Sequence, residues 1–183
     1  MIVPLIPTVP RTYADAHSKF TVLLGYTGDL DAISADVLNE GIDGSCRVTK
    51  EGTRYSATDS ATETGDAALC DEGAPETLGN SNYEGRMETF RYFNVENPGA
   101  ADPEADEIFQ ALKVKGTSAV IVIRETGKRY DLDWEAGDEY SAFRVEADNW
   151  QRQQNMTGYI KRTIPTPVQS AVLNGVVAET AGG

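Results

Sequence analysis

The chain has 183 residues, 40% of them hydrophobic and 8% aromatic, which is enough for one domain with a packed core and short for two. Its 29 acidic residues against 16 basic ones leave a formal net charge of -13, which argues against a surface that grips nucleic acid through clustered Lys and Arg. No uninterrupted apolar run reaches the roughly 18 to 20 residues that span a bilayer, so a soluble chain with no membrane partner is expected.

Residues 1–19 read as an extended N-terminal arm. Pro4, Pro7 and Pro10 rule out ladder hydrogen bonds there, while Ile2, Val3, Leu5, Ile6 and Val9 supply apolar surface that suits packing on its own domain or on a neighbouring subunit. The arm lacks the basic flank of a signal peptide. Phe20 to Leu24 predicts a strand ended by Gly25, and Ser34 to Gly41 a short helix with a capping serine and a closing glycine. Ser45 to Thr49 predicts a strand, Glu51-Gly52 a turn and Thr53 to Ser56 its hairpin partner. From Ala57 to Asn82 the chain is polar, with Leu69, Cys70 and Leu78 almost its only larger apolar groups. A loop that long inside a compact domain is usually functional, so it is a candidate interaction element.

Glu84 to Phe93 predicts a strand with mixed faces. Asp102 to Lys113 is the clearest helix: Asp102 caps, Pro103 fits the first turn, and Ile108, Phe109 and Leu112 form one stripe. Ser118 to Arg124 is apolar on both alternating faces, the pattern of a central strand covered on two sides. Tyr140 to Trp150 alternates, with Phe143, Val145 and Ala147 facing one way and Arg144, Glu146 and Asp148 the other. Met156 to Ile164 reads as its partner strand, Pro165 and Pro167 stop the ladder, and residues 165–183 form an extended C-terminal tail. The expected fold is therefore mainly β (α+β): an antiparallel β-sandwich or half-barrel with one flanking α-helix, spanning residues 20–164.

Catalytic chemistry finds little footing. The chain holds one histidine, His17, beside the arm, and its acids lack any partner that marks an acid/base pair. Asp29-Leu-Asp31 lacks the remaining ligands of a calcium loop, and Asp102 to Asp106 is explained by helix capping. Glycine-rich phosphate loops are missing, so no cofactor is expected. Cys46 and Cys70 have neither disulfide-framework nor metal spacing and are expected to be buried free thiols. The acids come in blocks: no base lies between Lys19 and Arg47, nor between Asp59 and Glu84, whereas bases gather near strands, as at Lys128-Arg129 and Lys161-Arg162. Such blocks form solvated faces or complement basic strands on a neighbour.

Gly41 to Lys50, Ala68 to Gly73, Ser81 to Gly85 leading into Phe90 to Phe93, and Ala111 to Thr117 together resemble the major tail tube proteins of phages infecting actinobacteria, over roughly residues 20–165. The resemblance implies a structural virion protein of a long-tailed, siphovirus-type phage and not an enzyme. It also implies the tail tube fold, with copies of the chain as partners: six close into a ring and rings stack into a hollow tube. Tape measure and tail-end proteins would be further partners, DNA would pass through the lumen without specific binding, and assembly would take place in the bacterial cytoplasm. By the same analogy Glu63, Asp66, Asp71 and Glu72 in the long loop are candidate contacts between rings. Either Glu84, Arg86 and Glu88 or Arg144, Glu146 and Asp148 would line the lumen. The competing readings are another ring-forming virion protein, such as a tail terminator or head decoration protein, a small β-barrel enzyme or ligand-binding protein, and a surface adhesin module.

Overall fold

The pattern apolar on both faces, at residues 118–124, and the alternating pattern, at residues 140–147, lie side by side in one sheet, against which a second sheet packs. The computed structural model describes residues 11–65, 69–70 and 76–179. In chain order these form β1 (Ser18–Leu24), α1 (Ala35–Asn39), β2 (Ile42–Asp43), β3 (Arg54–Thr58), β4 (Thr62–Thr64), β5 (Glu76–Leu78) and β6 (Asn82–Phe90). There follow α2 (Glu107–Leu112), β7 (Ser118–Glu125), β8 (Glu139–Glu146), β9 (Gln151–Arg152), β10 (Lys161–Pro165) and β11 (Val168–Val176). A five-stranded sheet runs β11-β8-β7-β1-β2, a four-stranded sheet runs β3-β6-β10-β9, and β4 and β5 pair with each other. All named strand pairs are antiparallel. This is the expected sandwich or half-barrel.

β7 lies at the centre of the larger sheet, and the two-faced burial expected of it follows. Ala119 and Ile121 face the space between the sheets, where they meet Phe20, Phe143, Met87 and Ile164. Val120 and Val122 face a second core with Leu23, Leu38, Trp134 and Tyr140. Complete burial of one such aliphatic or aromatic side chain contributes about 1.5–3 kcal/mol, so both faces of this strand stabilise the domain. The stripe Ile108, Phe109 and Leu112 of α2 closes the first core. Asp102 accepts from the amides of Glu104 and Ala105, so it caps the turn before the helix, and the regular helix begins only at Glu107. Gly25, at φ +63°, ends β1 in a conformation other residues rarely adopt.

Three expectations for residues 45–82 need correction. Residues 45–49 are turns and not a strand, apart from one bridge between Val48 and Thr89. Asp43 Oδ1 accepts from the Ser45 amide at 2.8 Å and from its hydroxyl at 2.6 Å, and this local bonding bends the chain away from a ladder. β3 therefore pairs with β6 and forms no hairpin with residues 45–49. The long polar loop is partly ordered, because Thr62–Thr64 and Glu76–Leu78 pair as a ribbon.

The partner of β8 is β11, with Ala171 opposite Phe143, whereas β10 pairs with β6 and β9. Residues 168–176, expected as tail, are thus an edge strand of the larger sheet. Pro165 and Pro167 lack only donors, and their carbonyls continue the bonding by accepting from Asp148 N at 2.9 Å and Glu146 N at 3.3 Å. Between them the buried Thr166 donates its amide to Gly85 O, and its hydroxyl pairs with Tyr55 Oη at 2.8 Å. The chain crosses here from one sheet to the other, and a Cβ on Gly85 would lie 2.5 Å from Thr166 O.

Candidate assembly surfaces

Alternation along β6 turns Tyr83, Met87 and Thr89 inward and leaves Glu84, Arg86 and Glu88 on the outer face of the four-stranded sheet. Arg54 stands opposite Arg86, and Thr163 stands opposite Glu88. Arg54 Nε donates to Glu84, Lys161 Nζ pairs with Glu88 at 3.1 Å, and Thr49 Oγ1 donates to Glu88 at 2.8 Å. Arg86 is exposed and has no acidic partner among the described residues. Arg54, Arg86 and Lys161 against Glu84 and Glu88, with Arg152 beside them, leave this face net basic on a chain of net charge -13. Beside it Arg162 lies over Trp150, 5.1 Å from the ring centroid. Partial burial, followed by the cations Arg91 and Arg152, pulls its guanidinium below the usual arginine range.

Arg144, Glu146 and Asp148 belong to the other sheet and its exit, so the structure does not bring the two candidate lumen sets together. Arg144 donates at 2.8 Å to the carbonyls of both Tyr26 and Gly28, which places it under a loop. Asp148 is held below the usual carboxylate range by the Asn149 amide and then by Lys115, at 3.1 Å. Glu146 is exposed.

The ribbon of β4 and β5 pairs with neither larger sheet. Glu63 lies on β4 opposite Thr77, while Asp66, Asp71 and Glu72 fall outside the described residues. The base of the ribbon is fastened by Ala61 N to Asn80 O at 3.2 Å and by Asn82 Nδ2 to Asp59 O at 3.1 Å. Leu78 is 80% exposed. A two-stranded ribbon is marginal alone in water, so an exposed one favours a partner surface.

Sequence reasoning missed two buried ion pairs. Arg91 grips Asp106 with three donor contacts of 2.8–3.2 Å and stacks on Phe109, 3.8 Å from its centroid. Arg124 is fully buried and binds Asp138 at 2.9 Å, and Lys128 completes that cluster at 2.8 Å. Burial alone would raise the Asp138 carboxyl, but Lys128, the Glu135 amide and Arg124 together outweigh it and hold the group below the ordinary range. The only sequence signal was the position of each cation at the end of a strand pattern.

Cys46 and Cys70, expected to be buried, are both exposed and unpaired. Among the described residues no group of three or more His, Cys, Asp or Glu gathers as a metal site, and no helix is long and apolar enough to cross a membrane.

Free edges, a charged sheet face and an exposed ribbon define the surface of this β-sandwich. The family model described as phage tail tube protein matches residues 6–181, and the chain belongs to that family. It is accordingly a structural component of a phage tail and not an enzyme. Among solved structures it is similar to a chain of the anti-feeding prophage baseplate, determined by cryo-EM with 6-fold symmetrisation. The TM-score is 0.53 and the identity 12%, covering 92% of this chain and 98% of that one. A search of curated proteins finds no match.

Proposed function

We propose that this chain is the major tail tube subunit of a long-tailed, siphovirus-type phage of an actinobacterial host, six copies closing into a ring and rings stacking into a hollow tube that conducts DNA. The observation that carries the reading is the four-stranded sheet, which has one face in the core, the other lined by charged side chains, and short edge strands at both sides. Such edges are removed when neighbouring subunits continue the sheet into a barrel. The 6-fold symmetrised assembly of the structural neighbour supports six copies.

Of the two candidate lumen walls, Glu84, Arg86 and Glu88 fit better, because Arg144 is already occupied by loop carbonyls. On this wall Arg54 and Lys161 hold the two glutamates, which leaves Arg86 as the cation that passing phosphates meet. The ribbon, with Glu63 and the acids Asp66, Asp71 and Glu72, is the contact between stacked rings and meets bases on the next ring. Tape measure and tail-end proteins are the further partners, and the tube is built in the host cytoplasm.

The test is negative-stain microscopy of the purified full chain, concentrated and seeded with sheared assemblies. Long hollow tubes of uniform width are expected. Closed single rings or trimers alone would overturn the reading in favour of a terminator or decoration protein.

A further inference from the structure

The four-stranded sheet sets two arginines opposite each other at one edge. Arg152 on β9 is the register partner of Arg162 on β10, and like charges directly opposed in a sheet are destabilising. Arg152 is exposed and bonds to no acceptor among the described residues. Arg162 donates to the carbonyl of Lys161 at 2.7 Å, while its Nε is shielded from solvent with no acceptor among the described residues. Arg91 adds to the repulsion, although its own charge is met by Asp106. A chain with 29 acids and 16 bases has no shortage of carboxylates, yet it leaves this pair without one. A carboxylate supplied from outside would remove the cost.

The edge beside the pair is open. β9 has two residues and pairs with β10 alone. In the connection from β9 to β10, Met156 and Tyr159 are at least 80% exposed. Large apolar groups next to unpaired backbone mark a surface that another chain covers.

The strand order says which part of a second copy fits. Four antiparallel strands alternate in direction, so a copy that continues the sheet by rotation in a ring brings β3 to β9, and the junction is again antiparallel. β3 is flanked by Glu51 in the turn before it and by Asp59 directly after it. Both are exposed, and neither meets a cation among the described residues. Within one chain β3 and β9 stand three strand spacings apart, about 14 Å, so these acids belong to the opposite edge.

We infer that the β9 edge is the seat for the β3 side of a neighbouring copy, with the carboxylate of Glu51 or Asp59 meeting the Arg152–Arg162 pair. The inference rests on the ring reading above and names the side chains that join one subunit to the next. Strand tilt in a closed barrel staggers neighbouring sheets, and that stagger selects between the two acids.

Charge reversal tests the seat. Arg152, Glu51 and Asp59 are all exposed, so melting temperatures of the reversed chains should stay within about 3 °C of the parent. Seeded tube growth of Arg152→Glu, followed by light scattering, should slow about tenfold or more, as for loss of a close interfacial charge pair. Adding Glu51→Arg or Asp59→Arg to the same chain restores growth, and the acid whose reversal does so reads the stagger. An equal mixture of the two single variants also grows, because alternating copies bring opposite charges together at every junction. Should a reversal fail to fold, Arg152→Gln and the neutral variant Glu51→Gln or Asp59→Asn replace it. Each then slows growth, and the two together slow it no more than one, since both remove a single contact. Growth of Arg152→Glu at the parent's rate, recovery with neither acid, equal recovery with Asp36→Arg on α1, or additive slowing by the neutral pair would overturn the inference and leave the tube reading standing. A parent chain that forms no tubes overturns the tube reading and the inference with it.

Discussion

Replacing Arg124 by Met keeps most of the aliphatic stem and removes a guanidinium that is fully buried and four times bonded. Nη1 donates to Asp133 O and Asp138 Oδ2, both at 2.9 Å, and Nη2 to Arg129 O at 2.8 Å and Leu132 O at 2.9 Å. The group also lies 5.1 Å from the Trp134 ring centroid, so it fixes the path of the loop between β7 and β8. Breaking a buried pair from one side costs about 3–5 kcal/mol. The lower end applies here, because Asp138 keeps Lys128 at 2.8 Å and Leu132 O keeps Lys19 Nζ at 3.1 Å. A loss of about 3 kcal/mol is a large share of the roughly 5–15 kcal/mol that stabilises a domain. With a urea slope near 2 kcal/mol/M, the unfolding midpoint should fall by about 1.5 M. Fluorescence of the buried Trp134 reports the transition. A fall below about 0.5 M at unchanged slope would show that other contacts hold the loop and would refute the role given to Arg124.

Asp138 also predicts acid sensitivity. Its folded-state carboxyl is held below the unfolded value of about 3.9, so the stability it contributes is present above that pH and is lost as pH falls through the folded value. Asp138→Asn should flatten the urea midpoint between about pH 5 and 2 relative to the parent, and equal slopes would contradict the assignment. Gly85→Ala forces a Cβ to 2.5 Å from Thr166 O and 2.8 Å from Val168 Cγ2; an overpacking loss of about 1–3 kcal/mol is expected in urea, and a neutral result would mean the corner yields. Replacing residues 62–78 by a short Gly-Ser link should leave the melting temperature within about 3 °C, because the ribbon pairs with neither large sheet, while stopping tube extension under the microscope. Normal tubes from that chain would remove the ribbon from the assembly contact. With -13 on every copy, seeded growth should quicken as the Debye length falls from about 30 Å at 0.01 M salt to about 8 Å at 0.15 M, and slowing over that range would show that long-range attraction drives it.

What could be read in the sequence was whatever depended on local periodicity. The doubly apolar β7, the alternating β8 and the stripe of α2 were legible because burial repeats at two or at about 3.6 residues. Pairing was not. β10 was expected beside β8 because the two are near in sequence, yet the chain uses the corner at Thr166 to send β11 there instead, a long-range outcome no local pattern encodes. The Ser45 to Thr49 strand failed where an aspartate at 43 offered the backbone a competing local bond. The candidate site was legible only as chemistry: alternation put Glu84, Arg86 and Glu88 on one face, but that Arg144 is pinned to Tyr26 and Gly28 depends on a loop over a hundred residues away in sequence.

The distribution of burial bears on how such a subunit assembles. Both cores close within one chain: Val22, Ile121 and Phe143 on one side of the large sheet and Ile33, Val120 and Val122 on the other are covered without any partner. Assembly therefore does not complete the fold, and the free subunit can wait in a stable form. What remains open among the described residues is peripheral: the β11, β2, β3 and β9 edges and the exposed ribbon. Backbone pairing at the edges acts over a few ångströms, whereas the net charge repels over a Debye length. Copies that meet in the wrong register feel the repulsion without the contacts. On the proposed tube reading, the arrangement that pairs the edges offsets it, so a chain of net charge -13 would polymerise in one geometry and stay dispersed in others.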